Sequence, residues 1–284
     1  MKKGVIIGLL LVLSCTFVFA DPAGDFLIQA ARSENPDTLR QALNSRVPVN
    51  YVGSDGLTAL MIACEKEWVP GVNMLLEAGA NASFENIYGR TALMIAVKYN
   101  RNDNIARLLI NRGANINKTD TSGNTVLMYA VQNRSSDMID FVLRSFSNTL
   151  ATNVDGEDAL IIAAKENNID AVRRLLQRSA NLYQTALNGY TAFLYACDHQ
   201  NMEMIPAFVE KGIDVTRQNS SNGMPPLLWL IQFKKSTNVI QYLLINTDAI
   251  HSRDRNGRDA FQYAQNYDRS NDRLRRMLEE NRDR

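Results

Sequence analysis

The chain has 284 residues, with 31 basic and 30 acidic side chains and a formal net charge of +1. So even a balance leaves no electrostatic footprint for nucleic acid or an anionic membrane surface. The length alone suggests about two domains, yet no Pro/Gly/Ser-rich linker or low-complexity tract divides the sequence.

Residues 1–20 read as a signal peptide. Lys2 and Lys3 precede an apolar run from Val5 to Val18, and Val18-Phe19-Ala20 offers a cleavage site before Asp21, the pattern of a secretory leader. The run is short for a membrane anchor, and the polar chain that follows carries no second apolar span. Export is therefore expected, to the periplasm, because the Met-Lys-Lys start looks bacterial. Cys15, in Val12-Leu13-Ser14-Cys15, leaves a second reading open: a relaxed lipoprotein signal whose cleavage would leave Cys15 lipidated. Loss of Lys2 and Lys3 with the leader would bring the net charge to −1.

After the leader the chain is periodic. Gly56-Leu57-Thr58-Ala59-Leu60-Met61-Ile62-Ala63 recurs as Gly89 to Ala96 and as Gly123 to Ala130, with weaker copies at Gly156, Gly189, Gly223 and Gly257. The successive glycines are 33, 34, 33, 33, 34 and 34 residues apart, and a fixed period of this kind signals a repeat architecture. Within one frame, Gly supplies a tight turn. Thr58, Thr91, Thr125, Asp158, Thr191 and Asp259 then stand where a side chain can cap a helix N-terminus. Leu93, Met94 and Ala96 keep helical spacing. A second amphipathic run, Ile105 to Ile110, ends at Gly113, placed as a C′ glycine. Each frame thus predicts a turn, a short helix, a second turn and a longer helix. Neither helix can bury its apolar face alone, so neighbouring frames must stack. Asp21 to Tyr51 lacks the glycine, but Leu27-Ile28-Gln29-Ala30 lies 33 residues before Leu60 to Ala63. It reads as a degenerate first unit with a polar outer face. At the other end, Asn271 to Asn281 is dense in Arg, Asp and Glu and reads as the solvated closing face.

The chain resembles the ankyrin-repeat family, whose unit of about 33 residues carries a T-P-L-H-x-A signature. Thr91-Ala92-Leu93-Met94-Ile95-Ala96 matches it at the Thr, Leu and Ala positions. The later Leu-Leu pair with Gly-Ala stands as Leu75-Leu76 with Gly79-Ala80 and as Leu108-Leu109 with Gly113-Ala114, and it weakens to Leu175-Leu176 with Ser179-Ala180. The signature His is absent, being Met61, Met94, Met128, Ile161 or Leu194, and the signature Pro occurs once, as Pro226. The resemblance implies an all-α solenoid of stacked helix-turn-helix units joined by hairpin-like loops. Its units are an N-terminal capping repeat over 21–53, six repeats over 54–86, 87–120, 121–153, 154–186, 187–220 and 221–254, and a C-terminal capping repeat over 255–284.

No catalytic constellation is visible. His199 and His251 are the only histidines and lie in different frames, and no HExxH, CxxC, phosphate loop or nucleophile elbow appears. Cys64 and Cys197 occupy the same place four frames apart, roughly 35–40 Å at helix-stacking distances, beyond the reach of a disulfide. Both read as buried thiols. No cofactor, metal or nucleic acid is expected, and no enzymatic activity.

A binding surface is the better candidate. The residue before the signature Ala runs Ile62, Ile95, Tyr129, Ile162, Tyr195, Trp229 and Tyr263, with Tyr99, His199 and Phe233 just beyond, and the turns add Tyr51, Phe84, Tyr88 and Tyr183. In the resembled family, the short helices and turn tips form a concave face that binds partners. Stacking would align Tyr99, Tyr129, Tyr195, His199, Trp229 and Phe233, with Phe84 and Tyr88 at the turns, into an aromatic stripe of hot-spot types. Packing between helices is the competing explanation for the same column. The expectation is an exported monomer that binds another protein as a periplasmic adaptor or protective partner. An envelope-tethered scaffold through Cys15, or a secreted effector binding a host protein, stands as the alternative.

Overall fold

Each turn glycine leads into a capped helix, and those caps set the frame of the whole molecule. In this computed structural model, which describes residues 22–145, 148–217, 223–267 and 272–283, the hydroxyl of Thr58 accepts from the Met61 N–H at 3.3 Å. Thr91, Thr125 and Thr191 do the same for Met94, Met128 and Leu194. Asp158 and Asp259 substitute a carboxylate, accepting from Ile161 at 2.8 Å and Gln262 at 3.0 Å. The frame at Gly223 departs from this scheme. Pro225 stands at its cap position with no side-chain bond, and Pro226 starts the helix through its fixed φ. The expected leader, its expected cleavage site and Cys15 lie outside the described residues.

Sixteen α-helices follow in pairs among the described residues. The first helices of the units are α1 (Pro22–Arg32), α3 (Ala59–Glu65), α5 (Ala92–Tyr99), α7 (Val126–Gln132), α9 (Ala159–Lys165), α11 (Ala192–Asp198), α13 (Pro226–Gln232) and α15 (Ala260–Tyr267). The second helices are α2 (Pro36–Leu43), α4 (Val69–Glu77), α6 (Asn104–Asn111), α8 (Ser136–Arg144), α10 (Ile169–Gln177), α12 (Met204–Glu210), α14 (Thr237–Asn246) and α16 (Asp272–Glu280). The expected contrast of short and longer helix holds only in part. Both helices have 8 residues in the α5–α6 unit and 7 in the α11–α12 unit, and α1 at 11 residues exceeds α2 at 8. Among the described residues no strand forms, and the turns carry only isolated bridges, Val52 to Thr58 and Thr119 to Thr125.

The first helices pack in an unbroken series, α1 on α3, α3 on α5 and so on to α15. From α3 to α13, one residue per unit makes the centre of that series, four places after the turn glycine. Leu60, Leu93, Leu127, Leu160, Phe193 and Leu227 are all buried there. Truncating any of them to Ala would cost about 2–5 kcal/mol. Helix ends leave carbonyls without intrahelical partners, and asparagines from the next unit answer them. Asn100 Nδ2 donates to Cys64 O at 2.6 Å, Asn133 Nδ2 to Val97 O at 2.7 Å, and Asn168 Nδ2 to Val131 O at 2.9 Å.

The turns are stitched in turn. Thr121 N donates to Tyr88 O, Val154 N to Ser122 O and Leu187 N to Asp155 O, at 2.8–3.0 Å. Close approach explains Gly89. Its φ is +69°, and a Cβ there would lie 2.9 Å from Thr121 N, so a side chain would push the next turn away. Cys64 and Cys197 are free and buried.

Candidate functional site

The seven residues preceding the signature alanine share a backbone position but not an environment. Ile62, Ile95 and Ile162 are core. Tyr129 is also buried, and its hydroxyl donates to Asp120 Oδ2 at 2.6 Å. Asp120 Oδ1 meanwhile accepts from the N–H groups of Ser122 and Asn124. Burial alone would raise the Asp120 carboxyl, but hydrogen bonds from Tyr129, the Asn124 side chain and those backbone groups outweigh it and hold it below the usual carboxylate range. Burial and the adjacent carboxylate push the Tyr129 phenol up to about 12. Tyr263 repeats the arrangement nine residues after Asp254, at 2.9 Å.

Tyr195 has Ala186 where those tyrosines have aspartate. With no carboxylate to draw it inward, it stays half-buried, and its hydroxyl accepts from Asn188 Nδ2 at 2.9 Å. Its ring lies 4.8 Å from that of Tyr190. Tyr190 meets Trp229 edge-on at 5.8 Å, and Trp229 lies 5.1 Å from Phe233. Four rings therefore run continuously from α11 to α13, in the offset and edge geometries aromatic pairs favour. Phe233 is 50% exposed, whereas Trp229 is buried. Lys235 sits over Trp229 at 5.4 Å and is held there by Asp198 at 2.5 Å.

A second group forms around α5 and α7. Tyr99, the last residue of α5, and Tyr88, in the preceding turn, are each about half exposed. The Arg90 guanidinium lies 5.7 Å from the Tyr88 ring and 6.0 Å from Tyr129. Lys98 lies 5.4 Å from Tyr99 and 5.5 Å from Tyr129.

The expected stripe is therefore two patches with buried supports between them. Tyr129 and Trp229 back the exposed rings and offer little surface themselves, which corrects their place in the expected stripe. Phe84 is half-buried against the core. His199 is exposed, and its Nε2 lies 2.9 Å from Lys165 O at the end of α9, so its ring is fixed between units. Tyr51 bonds Asp25 at 3.1 Å, and the Tyr183 hydroxyl accepts from Asp214 N at 2.9 Å, so both belong to the packing.

Three exposed residues escaped the sequence reading. Ile87, Val154 and Leu187, each two places before a turn glycine, are among the most exposed large apolar side chains. The backbone rungs between turns hold them at fixed spacing. A large aliphatic residue at a turn tip, where polar residues are usual, was the available signal. Tyr190 escaped too, and reading the column directly after the turn glycine would have found it.

Among the described residues no cluster of His, Cys, Asp and Glu is arranged to hold a metal ion. Burial raises both the Cys64 and Cys197 thiols, which makes them poor nucleophiles. No described helix is long and apolar enough to cross a membrane. The arrangement presents fixed rings and turn tips along one wall, a chemistry of contact.

A family model described as ankyrin repeats (3 copies) matches residues 27–120, 72–153 and 127–219. The B-cell lymphoma 3 protein homolog of Mus musculus is 31% identical over 121 residues, covering 41% of this chain and 27% of that protein. The ankyrin repeat protein L371 of Acanthamoeba polyphaga mimivirus is 25% identical over 153 residues, covering 42% and 20%. The tyrosine-protein kinase HTK16 of Hydra vulgaris is 38% identical over 88 residues, covering 30% and 12%. The chain thus spans well under half the length of each of these relatives.

Proposed function

This chain belongs to the ankyrin-repeat family, a module of protein–protein interaction, and from that premise we propose that it is an exported recognition scaffold. In this reading it grips a protein partner on a concave wall of first helices and turn tips, as a periplasmic adaptor or protective partner. The observation that carries it is the set of aromatic side chains that reach solvent, Tyr88, Tyr99 and Phe233 about half exposed and Tyr190 and Tyr195 partly so, on backbone already fixed by interlocked units. A partner meeting such a surface loses little to ordering it, and aromatic anchors are the usual hot spots.

Affinity capture with the mature array, set beside a Tyr99→Ala, Tyr195→Ala, Phe233→Ala variant, tests the wall. The wild type should retain a specific partner that the folded variant loses. Retention of every partner by the variant would refute the assignment. For export, intact mass of the cell-derived protein should start at Asp21. The Val12-Leu13-Ser14-Cys15 stretch favours one alternative, a lipid-anchored scaffold, for which the mass would show acylated Cys15 at the N-terminus.

A further inference from the structure

The repeat supplies its own control experiment, because equivalent residues in different units occupy the same geometry. In the α9 unit, the residue after the turn glycine is Glu157 and the one eight places later is Lys165. Lys165 Nζ reaches Glu157 Oε1 at 2.7 Å. In the α5 unit, the same two places hold Arg90 and Lys98. The fold thus sets two cations where a neighbouring unit sets an ion pair.

Neither finds a carboxylate among the described residues. Arg258 holds the repeat position of Arg90 and bonds Asp254 at 2.7 Å. In the Arg90 unit the corresponding place is Asn86, which is neutral, and its Oδ1 already accepts from the N–H groups of Tyr88 and Arg90. What faces the two charges instead is rings: Tyr88 and Tyr129 for Arg90, Tyr99 and Tyr129 for Lys98. Arg90 also reaches the Tyr129 hydroxyl, which donates to Asp120, but neither cation pairs directly with a carboxylate. Arg90 and Lys98 line one shallow hollow with Met94, Ile95, Tyr99 and Tyr129. Two like charges sharing a hollow repel, and an anion between them removes the repulsion while gaining two charge-assisted bonds.

We propose that Arg90 and Lys98 clamp a carboxylate carried by an acidic segment of the protein partner, with Tyr88 and Tyr99 packing against the residues that flank it. This rests on the wall being the protein-binding face. The guanidinium supplies a planar fork matched to a carboxylate, and the ammonium supplies a mobile point charge. A nucleic-acid strand fits less well, because it needs a continuous basic track. Lys165, Lys235 and Arg258 on the other units are each neutralised by their own carboxylates.

The test pans a displayed library of random dodecapeptides against the full chain and against an Arg90→Gln, Lys98→Gln variant. The wild type should enrich peptides rich in Asp and Glu, and the variant should not. A fluorescein-labelled consensus peptide should lose at least tenfold in affinity when its acids become amides, and no further when that peptide meets the variant. Lys98→Glu is the second probe. It recreates with Arg90 the pairing seen between Glu157 and Lys165, so it should melt no lower than the wild type and still lose the acidic peptide. Enrichment on the wild type without acidic bias, abolished by Tyr99→Ala, would leave the wall as a binding face and overturn the clamp. No enrichment at all would overturn both, and tighter binding of a labelled oligo-dT strand would overturn the choice of a peptide.

Discussion

Asp158 caps α9 where four other units use threonine, and the exchange has a measurable cost. The residue is 1% exposed. One carboxylate oxygen takes the Ile161 N–H, but Oδ2 is buried without a hydrogen-bond partner. Burial raises the carboxyl from 3.8 to about 6, and the backbone N–H groups at the helix start offset only part of that rise. Below about pH 4 the group is protonated in both folded and unfolded chains and contributes nothing. Between about pH 4 and 6 the unfolded chain ionises first, so stability falls as pH rises, and above 6 the full penalty remains. A displacement of about two pH units at about 1.4 kcal/mol each gives roughly 3 kcal/mol as an upper estimate. Asp158→Thr keeps the cap and removes the buried charge. Urea unfolding of the two proteins at pH 4 and pH 7.5 should therefore show little difference at pH 4 and a gain of about 2–3 kcal/mol for the variant at pH 7.5. Taking the difference between the proteins cancels every other group that titrates in the window. A variant that is weaker at pH 7.5, or one whose gain is equal at both pH values, would refute the reasoning.

Three further outcomes follow from the packing. Ser179 holds φ +58° where Gly79, Gly113 and Gly212 occupy the equivalent turn, so Ser179→Gly should raise stability by about 0.5–1 kcal/mol in thermal melts. Asn168→Ala removes the cap on Ala171 and strands the Val131 carbonyl. It should lose about 2–3 kcal/mol in urea unfolding, and Asn168→Asp, which keeps only the cap, should recover part of that. Gly71 lies under the Trp68 ring, and a Cβ would sit 2.0 Å from its Cε3. Gly71→Ala should therefore cost about 1–3 kcal/mol and shift the tryptophan emission.

What could be read from the sequence was whatever is local to one unit. A turn glycine, a cap three residues before its N–H and a buried apolar residue at fixed offset are each decided within about ten residues, and they stand where the period put them except at Pro225, which gives no cap bond. The candidate wall was less legible, because exposure there depends on pairs of positions. Tyr129 and Tyr195 are identical in their frames, yet one is drawn inward by Asp120 and the other is released by Ala186. The same holds for Arg90, which has no direct carboxylate partner because Asn86 replaces the aspartate that Arg258 finds in Asp254. A column reading that treats one position at a time cannot see such differences. Relative helix length was misjudged because the second helices vary from 7 residues in α12 to 10 in α14, while the first helices from α3 to α15 hold at 7 or 8 and only α1 reaches 11.

The most direct test of the account is hydrogen–deuterium exchange on the chain from Asp21 onward, with and without a protein that it captures. Binding should slow exchange in the turn tips around Ile87, Val154 and Leu187 and at the ends of α5, α11 and α13, leaving α10 and α12 unchanged. Protection confined to those second helices, with the first-helix wall untouched, would contradict it.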